Sequence, residues 1–227
     1  MQTKRLSACA ALVTKGGVVC DVGTDHAYLP AELLKNKICT RAVLTDIHAG
    51  PLEAARRTLR EAGVLEQADL YQCDGLEQVS PGDITDIVIA GMGGENIIHI
   101  LENCPWASEK HFILQPMTKA AALRQWLAEN GYAWTEEIVT EQMRFYFVLD
   151  VCFCGAVWKL TELEREVGRL DWQLQSAQYY GAWKMQQFRK LAEKLTQANR
   201  PSATYWTALA NELAQILENT IGGTALC

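Results

Sequence analysis

Long apolar runs are missing from this 227-residue chain. No window reaches the roughly 20 residues that a membrane-spanning helix needs, so no membrane partner is expected. The stretch Met1-Gln2-Thr3-Lys4-Arg5 is not followed by a long apolar core, and no secretory signal is expected either. Paired Cys-x-x-Cys spacings are missing as well. The eight cysteines form no regular framework, and several sit in apolar, strand-like runs where a thiol behaves as a small hydrophobe. Reduced thiols and a cytoplasmic location are the expectation. Cys152 and Cys154 would share one face of a strand, but no His pair accompanies them, so no metal is expected.

A basic excess is absent too. The net charge of −6 excludes a generally basic nucleic-acid binder, although the charge is unevenly spread. Residues 1–57 carry a net +3, residues 58–150 a net −10, and residues 151–227 a net +1. A local basic surface near the N-terminal end remains available for phosphate, with a solvated mixed surface as the plainer alternative.

The dinucleotide fingerprint is the last absence. Gly-x-Gly-x-x-Gly brings backbone N–H groups and a helix N-terminus to a diphosphate. Here Val18-Val19-Cys20 reads as a short buried strand that runs into Asp21-Val22-Gly23-Thr24-Asp25-His26-Ala27-Tyr28-Leu29-Pro30. The later glycines are missing, and Asp25 with His26 holds the turn. Carboxylates there repel a diphosphate and suit an amine or a sulfonium. Asp25 equally suits the cap of the helix that follows.

What is present alternates. Strand signals fall at 18–22, 41–46, 69–73, 84–90 and 111–115, followed by an aromatic, β-branched pair at 133–141 and 145–153. Helical stretches intervene at 29–35, 51–62, 95–103 and 119–129, with Pro51 as a first helical residue and Gly63 as a stop. This order predicts an α/β fold: a mostly parallel sheet covered on both faces, with an antiparallel hairpin at one edge. Beyond Gly155 the pattern changes. Leu160, Leu163, Val167, Leu170, Leu174 and Ala177 follow steps of three and four, and the register continues through Gly181, Phe188, Leu191 and Leu195. That spacing predicts a coiled-coil-like helix interrupted near Tyr180-Gly181 and ended by Pro201, with a second helix over 203–218 folding back antiparallel. Residues 1–155 and 156–227 are the expected domains.

Four segments fall at the carboxyl ends of strands, where open α/β sheets bind ligands. These are Asp21–Pro30; Thr45-Asp46-Ile47-His48; Cys73-Asp74-Gly75-Leu76; and Ile89-Ala90-Gly91-Met92-Gly93-Gly94. Each alone reads as a turn or a cap. Together they offer a cationic-tail site, a ribose site and an adenine site in order, which describes S-adenosyl-L-methionine along the sheet edge.

Asp21–Pro30, Ala90-Gly91-Met92-Gly93-Gly94 and Leu114-Gln115-Pro116 resemble the bacterial tRNA (adenine-N1)-methyltransferase family of the TrmK type. The resemblance spans the first 150 or so residues and extends in character to a helical C-terminal arm. It implies a Rossmann-like class I methyltransferase domain joined to a coiled-coil-like domain that helps to hold tRNA, with methylation of the adenine at tRNA position 22, in the D-loop region. By position, Asp21, Gly23, Asp25 and His26 would line the methionine end of S-adenosyl-L-methionine. Asp46 would take the ribose, with Ile47 beside the adenine. Asp74 and Gly75 would meet the adenine edge, and Ala90, Gly91 and Met92 the sulfonium side. Asp46 stands where the family more often has Glu.

Adenine N1 carries its own lone pair, so the methyl step requires alignment and exclusion of water more than a general base. The Gly91–Gly94 loop is the expected floor for the target base. Asp25 is the expected electrostatic helper, with His26 and Gln115 as second choices. Tyr28 or Met92 would stack on a base taken out of its helix, and Arg5, Lys35, Arg56 and Arg57 would contact phosphate. A small-molecule methyltransferase and a non-catalytic RNA-binding protein remain the alternatives, and a monomer is expected.

Overall fold

The computed structural model describes residues 3–223 and divides into two compact units that part between Trp158 and Lys159. In the first unit, seven strands form one sheet in the order β3-β2-β1-β4-β5-β7-β6. The strands are β1 (Val18–Val22), β2 (Arg41–Asp46), β3 (Ala68–Gln72), β4 (Ile84–Gly93), β5 (His111–Thr118), β6 (Tyr132–Glu141) and β7 (Arg144–Phe153). The first five pair in parallel, while β7 runs antiparallel to both β5 and β6. The expected parallel sheet with an antiparallel edge is what forms. All five β1 residues are buried, as a central strand covered on both faces requires.

The strand order reverses next to β1. The chain leaves β1 for β2 and β3 on one side, then returns to β4 and β5 on the other. Both loops leaving this switch point open a crevice at the strands' carboxyl ends. Helices α2 (Tyr28–Lys35), α3 (Ala49–Glu61), α4 (Gly94–Glu102) and α5 (Ala120–Glu129) supply the crossovers. Pro51 sits in the first turn of α3 but is its third residue, because the helix begins two residues earlier than expected. Helix α1 (Lys4–Leu12), capped by the Thr3 side chain on the Leu6 N–H, was not anticipated. It packs on β5, β6 and β7 and tethers there through Arg5 and the Lys4 N–H, both bonded to Glu141.

The hairpin between β6 and β7 turns on Gln142 and Met143, both at positive φ (48° and 60°). Two consecutive left-handed residues match the twist of a two-residue hairpin.

In the second unit the continuous helix expected from residue 160 breaks. Helix α6 (Glu162–Val167) starts with a reciprocal Thr161–Glu164 capping box and stops at Gly168, whose φ of 95° continues no helix. Asp171 then folds a turn onto the Gln173 N–H before α7 (Gln175–Gln197) begins. The expected interruption at Tyr180-Gly181 is not there, and α7 runs through it. Gly181 instead lets helices touch: a Cβ there would lie 2.8 Å from Trp172 and 3.1 Å from Leu217 of α8 (Ala203–Gly223). Phe188 meets Trp206 at the other end of the contact, which makes α7 and α8 antiparallel, as expected. The seam is only partly the predicted one. Leu163, Val167, Ala177 and Phe188 are buried, whereas Leu174 and Leu191 are exposed and Tyr180 and Ala192 take the inward positions. After the break at Gly168, α7 begins a new register, so a periodicity extended across the break fails.

Candidate functional site

Two concavities open along the carboxyl edge of β1, β2, β3 and β4, and they share Gly23 and Met92. The first, about 320 Å³, is lined by Asp46 and Ile47 after β2, by Asp74 and Gly75 after β3, and by Asn96 and His99 of α4. The second, about 270 Å³, is lined by Asp21, Thr24, Asp25, His26 and Tyr28, by Ala90 and Gly91, and by Arg5 from α1. Every residue expected along the cofactor lies on one or the other.

Between them the backbone bends sharply. Gly23 has φ +70°, and its N–H and that of Thr24 both donate to the Thr45 carbonyl, at 2.8 and 3.0 Å. That double bond ties the first loop to the tip of β2. A Cβ on Gly23 would fall 2.1 Å from Met92 Cε, so the Met92 methyl occupies the gap that joins the two concavities. In the first concavity, the Thr45 hydroxyl donates to the Gly75 carbonyl at 2.8 Å and fixes the β3 loop. Asp46 accepts the His48 N–H at 2.9 Å and is half-buried, leaving carboxylate capacity toward the crevice.

Asp21 is buried at the floor. Its Oδ2 accepts the Thr24 hydroxyl at 2.6 Å. Burial pushes its carboxyl up to about 7; the Thr24 bond opposes that rise and the Asp46 charge adds to it. Asp25 is exposed at φ 47° and does not cap α2. The cap position is Ala27, itself left-handed at φ 54°, with no side-chain bond. The capping alternative is thereby removed. His26 stacks on Tyr28 with ring centroids 5.3 Å apart, and both rings are open to solvent.

The Gly91–Gly94 segment is not a loop. β4 continues through it with a bulge, pairing Met92 with Pro116 and Gly93 with Thr118, before α4 starts at Gly94. Bulges of this kind re-aim side chains beside sites. Gln115 is fully buried rather than facing a substrate. Its Oε1 accepts from Arg5 Nη1 at 2.8 Å, and Glu141 and the Tyr146 ring hold the rest of the guanidinium. Arg5 thus belongs to the crevice wall. Arg56 and Arg57 lie on α3 outside both concavities, with Arg56 paired to Glu53. Asn96 and His99 were not singled out from sequence, and Thr45 only as the start of its segment. Asn96 and His99 are spaced three apart just after the glycines, the spacing that puts both on the same helix face.

The crevice suits a nucleoside carrying a cationic tail. Acidic groups stand at the floor and at two strand tips, and a glycine permits close backbone approach at the bend.

A methyltransferase-domain family matches residues 2–149. The Bacillus subtilis tRNA (adenine(22)-N(1))-methyltransferase is 37% identical over 142 residues, or 62% of this chain. That stretch spans 60% of the relative, short of two thirds of its length. The crystal structure of the Bacillus subtilis M1A22 tRNA methyltransferase TrmK has a TM-score of 0.80 at 28% identity, covering 97% of this chain and 99% of that one. A Streptococcus pneumoniae protein described as "a putative tRNA (m1A22) methyltransferase", solved with S-adenosyl-L-methionine, has a TM-score of 0.80 at 30% identity, covering 96% of this chain and 100% of that one. Because the family model spans residues 2–149 and the two solved structures superpose on nearly the whole chain, the chain belongs to the methyltransferase-domain family, in the TrmK-type branch.

Proposed function

We propose that the chain transfers a methyl group from S-adenosyl-L-methionine to N1 of an adenine in the D-loop region of tRNA, at position 22. The observation that carries this reading is the ordered crevice: a buried Asp21, a Gly23 bend, and acids at the tips of β2 and β3, lying beside an exposed aromatic pair. S-adenosyl-L-methionine supplies an electrophilic methyl on a positive sulfur, already activated for displacement. Asp21 and Asp25 place negative charge at the methionine end, Asp46 accepts ribose hydroxyls, and Asp74 accepts the adenine amine. Arg5, held by Gln115 and Glu141, offers its guanidinium to the cofactor carboxylate rather than to tRNA phosphate. Gln115 is then a positioning residue.

The target base needs an unstacked seat because N1 lies on its Watson–Crick edge. His26 and Tyr28 form that seat beside Gly91, and Asp25 offsets the positive charge that grows on the ring. No proton must leave N1 first, so the work of these residues is alignment and exclusion of water. Arg56 and Arg57, away from the crevice, remain candidates for phosphate, and Arg56→Ala with Arg57→Ala is expected to lower the salt dependence of tRNA binding. The expected partner is tRNA alone, the chain acting as a monomer in the cytoplasm, and no described helix is long and apolar enough to cross a membrane.

Incubation with unmodified tRNA and labelled cofactor, followed by reverse-transcription mapping, is expected to place a stop at adenine 22. Methyl transfer to no tRNA, with retained cofactor binding, would refute the substrate and leave a small-molecule methyltransferase.

The buried acid also sets a pH dependence. Asp21 is protonated in the free protein below about 7, and a cationic ligand favours its ionised form. Cofactor binding therefore releases a proton and tightens as pH rises, by about fivefold between pH 6 and 7 for one such group. Asp21→Asn is expected to weaken binding and flatten this slope in calorimetry. A wild-type affinity constant across that interval would remove Asp21 from the cofactor.

A further inference from the structure

A second cluster lies at the opposite end of the sheet, where β5 begins. Asp86 of β4 pairs in register with His111 of β5, and the antiparallel register of β7 sets Cys152 one step beyond the Phe112–Val151 pair, opposite His111. Asp150, two residues before Cys152, points to the same face. The three strands thus bring Asp86, His111, Asp150 and Cys152 together on one surface of the sheet.

The imidazole is fixed at both nitrogens. His111 Nδ1 lies 2.6 Å from Asp86 Oδ1 and Nε2 lies 2.6 Å from Asp150 Oδ1. Asp86 is completely buried and cannot turn away. It also accepts the Thr14 N–H and hydroxyl, at 3.2 and 2.8 Å, and the Thr85 hydroxyl at 2.7 Å. The Nδ1 side is therefore the rigid one, and Nε2 faces the half-exposed Asp150, two residues before the exposed Cys152. One His111 ring nitrogen, one Asp150 oxygen and the Cys152 sulfur all lie within 4.8 Å of one another.

We propose that His111, Asp150 and Cys152 form a divalent transition-metal site, suited to zinc, with its fourth position open to solvent and Asp86 orienting the imidazole. A buried carboxylate on the far nitrogen of a ligating His fixes the ring and raises its basicity, the arrangement typical of zinc-bound histidines. Mixed nitrogen, oxygen and thiolate donors select zinc over magnesium or calcium. Bond lengths near 2.0–2.3 Å require donor atoms roughly 3–4 Å apart. The side chains of Asp150 and Cys152, being solvent-accessible, are free to rotate to that spacing. Binding displaces the proton on His111 Nε2 and the thiol proton of Cys152, both released to water; no electron moves. The site lies at the far end of the strands from the crevice, so its role is to staple the antiparallel edge to the parallel sheet.

The test is titration of the chelator-stripped full chain with Co²⁺, followed by Zn²⁺ competition. One equivalent of cobalt is expected to give a thiolate-to-metal charge-transfer band that zinc abolishes. Cys152→Ser, a near-isosteric change at an exposed strand position, is expected to remove the band, while Cys154→Ser keeps it. Asp86→Asn is expected to weaken zinc binding by about 10–100-fold, and zinc is expected to raise the melting temperature of the wild type but not of Cys152→Ser. Absence of the band at one equivalent, or its persistence in Cys152→Ser, would overturn the site.

Discussion

Glu136→Ala is expected to lower folding stability by about 3–5 kcal/mol, the cost of leaving one member of a buried ion pair alone. Arg124 of α5 and Glu136 of β6 bond in two parallel 2.8 Å contacts, and their side chains are 1% and 0% exposed. The Trp134 indole N–H donates to the same carboxylate at 2.7 Å, and the Arg124 guanidinium stands over the Phe147 ring at 4.5 Å. Removing the carboxylate strands a buried cation and an indole donor together. For a chain of this size the melting temperature should fall by about 6–20 °C. The double replacement Arg124→Met with Glu136→Leu is expected to recover the part of the loss due to the stranded cation, leaving only the Trp134 indole unpaired. Equal losses in the single and double variants would show that the shape of the site matters more than its charge.

The second large effect is on the cofactor. Asp46→Ala is expected to weaken S-adenosyl-L-methionine binding by a hundredfold or more, at about 1.5–3 kcal/mol for each charged hydrogen bond to the ribose diol. Stability should change little by comparison, because within the protein the carboxylate accepts the His48 N–H from a half-buried position. Calorimetry and a thermal melt on the same sample separate the two effects. A variant with intact affinity would place the ribose elsewhere along the edge.

How much of this could be read from the residues depends on distance along the chain. The sheet was legible because β1, β2 and β4 are short runs of β-formers that end in the glycines and carboxylates of a ligand-binding edge. Helix α1 was not, since its anchoring partners, Glu141 and Gln115, lie more than a hundred residues away. Arg5 shows the same distance effect: an N-terminal arginine reads as phosphate-seeking, and its partners Gln115 and Glu141 become visible only in the fold. In the second unit the periodicity was real but Gly168 and Asp171 reset it, and only the turn geometry reveals where. Glycine is a poor strand former, so the Gly91–Gly94 segment reads as a loop in the sequence, whereas a bulge against Pro116 and Thr118 keeps it in the sheet.

The Met92 methyl above Gly23 has a practical outcome. A ligand that spans both concavities has to push it aside, so the free and loaded forms differ at one side chain in the middle of the crevice. The chain contains five methionines. In a sample carrying isotope-labelled methionine methyls, the resonance of Met92 should therefore report occupancy directly, and its exchange broadening during titration would time the entry of the donor.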